Sequence, residues 1–319
     1  MNDILYNMNY GGEEWPVWRV NLHTRTNRTD GFFSPENVRN LYGVDAAVGF
    51  TDPGTLLDKS MLSHPFVTIL PGIEWSLPGP RGTTVHLLVY GVTEDFPRQP
   101  AGFDEAFDIA GRAGCPVYVA HPHLDGLRAT DLLAIGRFDG IEIYNAAARL
   151  VGKEYALNTW DNLLDGGMPG CQGIATDGFR TPDAFRLGWT MLCAKDNSAP
   201  ALLEALKAGR FYSSQGPVFH SIEYHDRHFH AEFSPAAEAL LIGNSPHAPE
   251  RWNGVVKRCP SYPWWGSSPD APDAVPGPDY SSPATVIDAD LDSWSEEGFV
   301  RCQIRDAQGR YAWSQPFRL

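Results

Sequence analysis

From Trp18 to about Gly216, short apolar runs alternate with amphipathic stretches, a pattern that predicts βα units around a parallel sheet. Strands are expected at residues 18–23, 46–51, 67–74, 84–91, 116–121, 140–144, 173–177 and 187–194. Eight such runs suit a closed barrel better than a sandwich. Helix punctuation falls between them. Ser34 followed by Pro35 and Glu36 reads as a cap with proline in the first turn, and Gly43 stops that helix. Ser198 caps a second helix, which Gly209 ends. Past Gly216 and Pro217 the pattern changes to short alternating runs at residues 218–224, 227–233, 239–243, 298–304 and 311–317, separated by turn residues. That predicts an all-β domain of roughly 100 residues, with domains at 1–217 and 218–319. Residues 259–283, dense in Pro, Ser, Gly and Asp, read as a long exposed loop whose Trp264 and Trp265 pack on another part of the protein.

Composition narrows the function classes. The 319 residues carry 25 Lys plus Arg against 39 Asp plus Glu, a formal net charge of −14 without basic runs, which argues against a nucleic-acid partner. No window of about 18 apolar residues is available for a membrane span. Residues 1–12 lack the positive and apolar regions of a secretory signal. The five cysteines are scattered, with no Cys-x-x-Cys pair, and read as reduced, mostly buried thiols of a cytoplasmic protein. Serine-hydrolase elbows, phosphate-binding loops and dinucleotide fingerprints are all missing from the sequence.

Chemistry-bearing residues gather at strand ends. In an extended segment Asn21, His23 and Arg25 share one face. Glu74 closes the third strand, His86 lies in the next, His121 and His123 end another, and Glu142, Asn145 and Asp177 follow at later ends. One histidine at a strand end is usually structural; recurrence at most strands is hard to explain by packing. Imidazole with carboxylate, without thiolate, suits zinc, iron or manganese. His220, His225, His228 and His230 read as surface residues of the β domain, and Trp75 beside Glu74 as packing over a strand end or a wall of the pocket.

The runs NLHTRTNRTDGFFSPENV, GVDAAVGFTDP, PGIEWS, VHLLVYGV, VAHPHL, GIEIYN, GIATDG and LLEALKAGRFYSSQGP, in this order, resemble the polymerase-and-histidinol-phosphatase (PHP) superfamily of metal-dependent hydrolases. Members with a C-terminal β domain ending in a phrase such as AWSQPF are the most similar. The resemblance implies an α/β fold, a distorted (β/α)7 barrel followed by a small all-β, sandwich-like domain. It also implies up to three metals and hydrolysis of phosphoester or amide-type bonds.

The departures from that family are specific. Where members read His-x-His this chain has His23-Thr24-Arg25; where they read Thr-Asp-His it has Thr51-Asp52-Pro53. Their late Asp-x-His becomes Asp177-Gly178-Phe179-Arg180, in two possible registers: Gly178 and Arg180 replace ligands in one, Phe179 in the other. Proline and phenylalanine offer a metal no lone pair, and a guanidinium offers only donors and a fixed charge. Two like unit charges about 4 Å apart cost on the order of 4 kcal/mol at an effective dielectric near 20, and a divalent ion doubles that. An inward Arg25 is therefore expected to exclude one cation. Glu74, His86 and His121 match the remaining ligands. The resulting expectation is a phosphoesterase-like hydrolase with one divalent metal (zinc, manganese or iron) on Glu74, His86 and His121. His23 would be a substrate contact or general base, and Arg25 and Arg180 would bind a small anionic molecule. Two alternatives stand beside it, a catalytically inactive ligand-binding protein of the same fold and a metal-independent lyase or isomerase.

Overall fold

The computed structural model describes residues 5–243, 256–257 and 283–319, apart from residues 44, 62, 293 and 295–297. The chain opens with a hairpin of β1 (Tyr6–Tyr10) and β2 (Glu13–Thr24). It continues through α1 (Pro35–Leu41), β3 (Ala47–Phe50), β4 (Thr68–Pro78), β5 (Thr84–Tyr90), α2 (Phe103–Ala113), β6 (Val117–Val119) and α3 (Ala129–Ile135). Next come β7 (Gly140–Asn145), α4 (Leu157–Asp165), β8 (Gln172–Thr176), β9 (Trp189–Cys193) and α5 (Ala199–Lys207). The rest is strand: β10 (Phe211–Ser214), β11 (Phe219–His225), β12 (His228–Ala236), β13 (Glu238–Gly243), β14 (Val256–Lys257), β15 (Ala284–Asp290), β16 (Phe299–Arg305), β17 (Tyr311–Ser314) and β18 (Phe317–Arg318). The fold is mixed α/β and rich in sheet. Residues 259–282, with Trp264, Trp265 and Cys259, lie outside the described residues.

The expected strands all form, and so do both capped helices: Ser34 and Ser198 each accept a backbone N–H in the first turn. The sheet is not parallel throughout, however. β2, β3 and β4 are parallel to one another, as are β6, β7 and β8, but β5 runs antiparallel between β4 and β6. The cause is the connection: β4 reaches β5 through the tight turn at Gly79–Thr83, closed by a Gly79 N–H to Thr83 C=O bond of 2.8 Å. A parallel pair needs a crossover of a dozen residues or more. β9 likewise pairs antiparallel with β2. No continuous ladder joins β8 back to β2. The two meet at a single parallel bridge between Thr24 and Phe179, with Arg25 N–H to Phe179 C=O and Phe179 N–H to His23 C=O both 2.8 Å. That bridge brings the end of β2 beside the end of β8. The carboxyl ends of β2, β3, β4, β6, β7 and β8 thus face the same way.

The buried apolar side chains of the described residues form four clusters, and the two largest take in the helix-covered face and the C-terminal strands. Ile73, Trp75, Leu87, Val89, Phe107, Val119, Ile141, Ile143 and Trp160 pack where α2, α3 and α4 cover the sheet. The C-terminal strands enclose Phe219, Ile222, Phe229, Leu241, Ile287, Val300 and Ile304. Met8 and Val17 of the N-terminal hairpin belong to that second core, and β1 pairs with β11. Cys115, Cys171, Cys193 and Cys302 are buried free thiols. No helix among the described residues is long and apolar enough to cross a membrane.

Candidate metal centre

His23 leaves the end of β2 with 2% of its surface exposed, held between two carboxylates. Its Nδ1 lies 2.8 Å from Glu142 Oε1, and its Nε2 lies 3.3 Å from Glu74 Oε2. Glu142 is fully committed: Oε1 also accepts from Thr176 Oγ1 at 2.5 Å, while Oε2 accepts from the His121 N–H at 2.7 Å and Asn145 Nδ2 at 3.0 Å. A carboxylate so occupied has no lone pair to spare, so Glu142 orients its neighbours. Burial alone would lower the His23 pKa, but the carboxylates of Glu142 and Glu74 overcome it and raise it to about 9. In this state His23 carries a proton at neutral pH and cannot act as a base.

Glu74 projects from β4, completely buried. Desolvation works to raise its pKa, but His23 and Arg25 hold it well below the carboxylate range. Arg25 points inward, as its strand phase predicts. Its Nε donates to Glu74 Oε2 at 3.0 Å and its Nη2 to both Glu74 oxygens at 2.6 and 2.7 Å. Its Nη1 donates to Asp30 Oδ2 at 2.9 Å, and the same oxygen lies 3.0 Å from Arg180 Nη2. The result is a chain of charges from interior to surface: Glu74, Arg25, Asp30, Arg180.

His86 and His121 complete the centre through Asp125. Asp125 Oδ2 lies 2.7 Å from His86 Nδ1 and 3.2 Å from His121 Nδ1. His86 Nε2 is 4.0 Å from Glu74 Oε1, and the His121 ring lies 5.2 Å from that of His86 and 5.5 Å from that of His23. Among the described residues, potential ligand atoms come within 4.8 Å of one another in two groups: His23, Glu74 and His121, and His86, His121 and Asp125. His121 belongs to both. It also has φ +26°, a conformation non-glycine residues rarely adopt.

Sequence reasoning therefore places Glu74, His86, His121, His23 and Arg25 in one centre, and the structure brings all five together. Arg180 reaches it only through Asp30. Asp125 was missed; its one signal is the i, i+4 spacing from His121 on a loop, which periodicity does not weigh. His123 turns away, with Nδ1 2.7 Å from the Tyr155 carbonyl. Trp75 lies on the other face of β4, stacked on Phe96 and bonded to the Pro97 carbonyl, so packing is its role. Asp177 accepts bonds from Tyr42 and from the N–H groups of Arg186, Leu187 and Gly188. Burial still raises its carboxyl to about 6. At Gly178, φ +57°, a Cβ would lie 2.3 Å from Asn145 Oδ1, so no longer residue fits there. Phe179 is buried against Phe33, Tyr42 and Phe185.

No family model matches the chain, and no curated protein matches it. Several solved structures are similar, two of them as follows. One is a two-domain protein from Bacteroides vulgatus described as containing a predicted PHP-like metal-dependent phosphoesterase: 13% identity, TM-score 0.49, covering 96% of this chain and 95% of that one. The other is an amidohydrolase from Chromobacterium violaceum with bound sulfate and no metal: 15% identity, TM-score 0.38, covering 51% of this chain and 88% of that one.

Proposed function

We propose that the chain is a PHP-like metal-dependent hydrolase with one divalent ion, acting on a small anionic substrate through a phosphoester or related bond. The fold is read in the same terms, as a distorted (β/α)7 barrel through residue 217 followed by a β domain from 218. One observation carries the functional reading. Each of three imidazoles has its Nδ1 on a carboxylate, His23 on Glu142 and both His86 and His121 on Asp125. That leaves Nε2 as the ligating atom around Glu74, the outer-sphere arrangement by which carboxylates fix metal-binding histidines.

The residues fit a divalent ion on charge as well. Glu74 and Asp30 pair with Arg25 and Arg180, while Glu142 lies on His23 and Asp125 on His86 and His121. Four carboxylates against two guanidiniums leave two negative charges, and a proton on His23 meets part of that deficit. Glu74, His86 and His121 would hold the ion with His23 as a further donor. His23 then has to give up its proton, so affinity for the ion should rise with pH toward about 9. When bound, such an ion polarises the scissile group and brings the pKa of a coordinated water to about 7.

The chain's own residues do the remainder. Arg180 and, deeper, Arg25 orient the substrate's anionic group, which competes with Asp30 for their donors. Glu142 and Asp125 keep the imidazoles in one tautomer, and burial of Glu74 and His23 keeps water away from the ligand face. The grip of Arg25 on both oxygens of Glu74 favours a second reading, a binding protein without turnover. Phosphomonoesters, phosphodiesters, lactones and amides assayed with added zinc or manganese separate the two. Product that appears with the ion and vanishes in Glu74→Gln supports the hydrolase; saturable phosphate binding with no product from any class replaces it with the binder.

A further inference from the structure

We propose that the anion taken at this site is amphiphilic, an anionic head on the arginines joined to an apolar tail lying on the rim; this rests on the reading just given. Four of the seven exposed large hydrophobic side chains among the described residues sit on the segments that follow β2, β6 and β7: Phe32 (67% exposed), Leu124 (37%), Leu150 (69%) and Val151 (63%); Phe66, in the β3–β4 connection, stands two residues before the amino end of β4. Each is tied to the centre by its backbone. Phe32 N–H donates to the Arg180 carbonyl at 2.8 Å, and Leu124 N–H donates to the His121 carbonyl at 2.9 Å. The turn that carries Leu150 and Val151 is fastened to the end of β8 by an Ala147 N–H to Asp177 C=O bond of 3.0 Å.

Single exposed apolar residues are ordinary, but several on the loops of one face around recessed charges are not. Exposure falls along the charge chain from Arg180 (54%) through Asp30 (37%) and Arg25 (15%) to Glu74 (0%). A head group reaching Arg25 must pass Arg180, whose carbonyl holds Phe32, so a tail attached to that head emerges among the apolar side chains. A wholly polar substrate would leave this rim in water. Arg25 and Glu74 are recessed behind the exposed Arg180 and Asp30, which favours a free molecule over the headgroup of a lipid in a bilayer.

The test compares methyl phosphate with hexyl phosphate, below its micelle concentration, by calorimetric titration of the full chain without turnover. Each methylene fully covered on the rim contributes about three- to fourfold in affinity, so with partial cover hexyl phosphate is expected to bind at least about tenfold more tightly. The ratio should collapse toward unity in Phe32→Ser/Leu124→Ser and in Leu150→Ser/Val151→Ser, and persist in Val286→Ser, an exposed apolar residue within β15. Equal affinities in the wild type, or a ratio unmoved by both double variants, would overturn the proposal. So would equal affinities together with binding to phosphatidylcholine vesicles containing anionic lipid, which would assign the rim to a membrane. Failure of both phosphates to bind removes the anion site itself. A retained chain-length preference without turnover of any substrate removes only the hydrolase reading.

Discussion

Breaking a buried ion pair by removing one partner is costly because the other charge stays out of water with fewer partners. Removing the charge of Glu74 leaves Arg25 with Asp30 alone and His23 with Glu142 alone, so Glu74→Gln should cost about 3–5 kcal/mol in metal-free stability, measured by denaturant unfolding. His23 sets a pH dependence. Its folded pKa of about 9 lies above the ordinary 6.5, so its stabilising contribution is fully present below about 6.5 and is lost as pH rises through about 9. The unfolding midpoint of metal-free protein should fall across that window, and His23→Gln should flatten the fall. Asp30 occupies donors of both Arg25 and Arg180. Asp30→Asn should therefore strengthen inorganic phosphate binding by about three- to tenfold. Arg25 and the four main donors were legible because strand phase and residue type point the same way. Asp125 was not, since a loop carboxylate acquires its partners only when β5 and β6 lie side by side.

At the scale of elements, the strands were readable from apolar runs, but their direction was not, because direction depends on the path between them. The turn at Gly79–Thr83 makes β5 antiparallel and so delivers His86 beside Ser76, close to Glu74. A second tie was equally invisible in the sequence. The Gln315 side chain pairs with Gly173 of β8 like a rung of sheet, Oε1 accepting from the N–H at 2.8 Å and Nε2 donating to the C=O at 2.9 Å. Gln315→Ala leaves the Gly173 N–H buried and unpartnered and its C=O with the Ser213 hydroxyl alone, which should cost about 1–3 kcal/mol in denaturant unfolding. Pairing by a side-chain amide has no periodic signature, so no pattern along the chain announces it.

At the scale of the molecule, the change from βα alternation to short strands near Gly216 was visible, and the C-terminal strands enclose a core that also takes in Met191, Cys193 and Tyr212 from before that point. The hairpin of β1 and β2 contributes Met8 and Val17 to that core while β2 also carries His23 at its other end. A single strand thus links the C-terminal core to the centre, an outcome of long-range pairing that local pattern cannot supply. The account depends on that centre holding one divalent ion where the sequence resembles a family that holds several. Elemental analysis of purified full-length protein, beside Glu74→Gln, tests it most directly. About one equivalent of zinc, manganese or iron in the wild type and little in the variant is the predicted result. Less than about a tenth of an equivalent in both, after incubation with each metal, would contradict it.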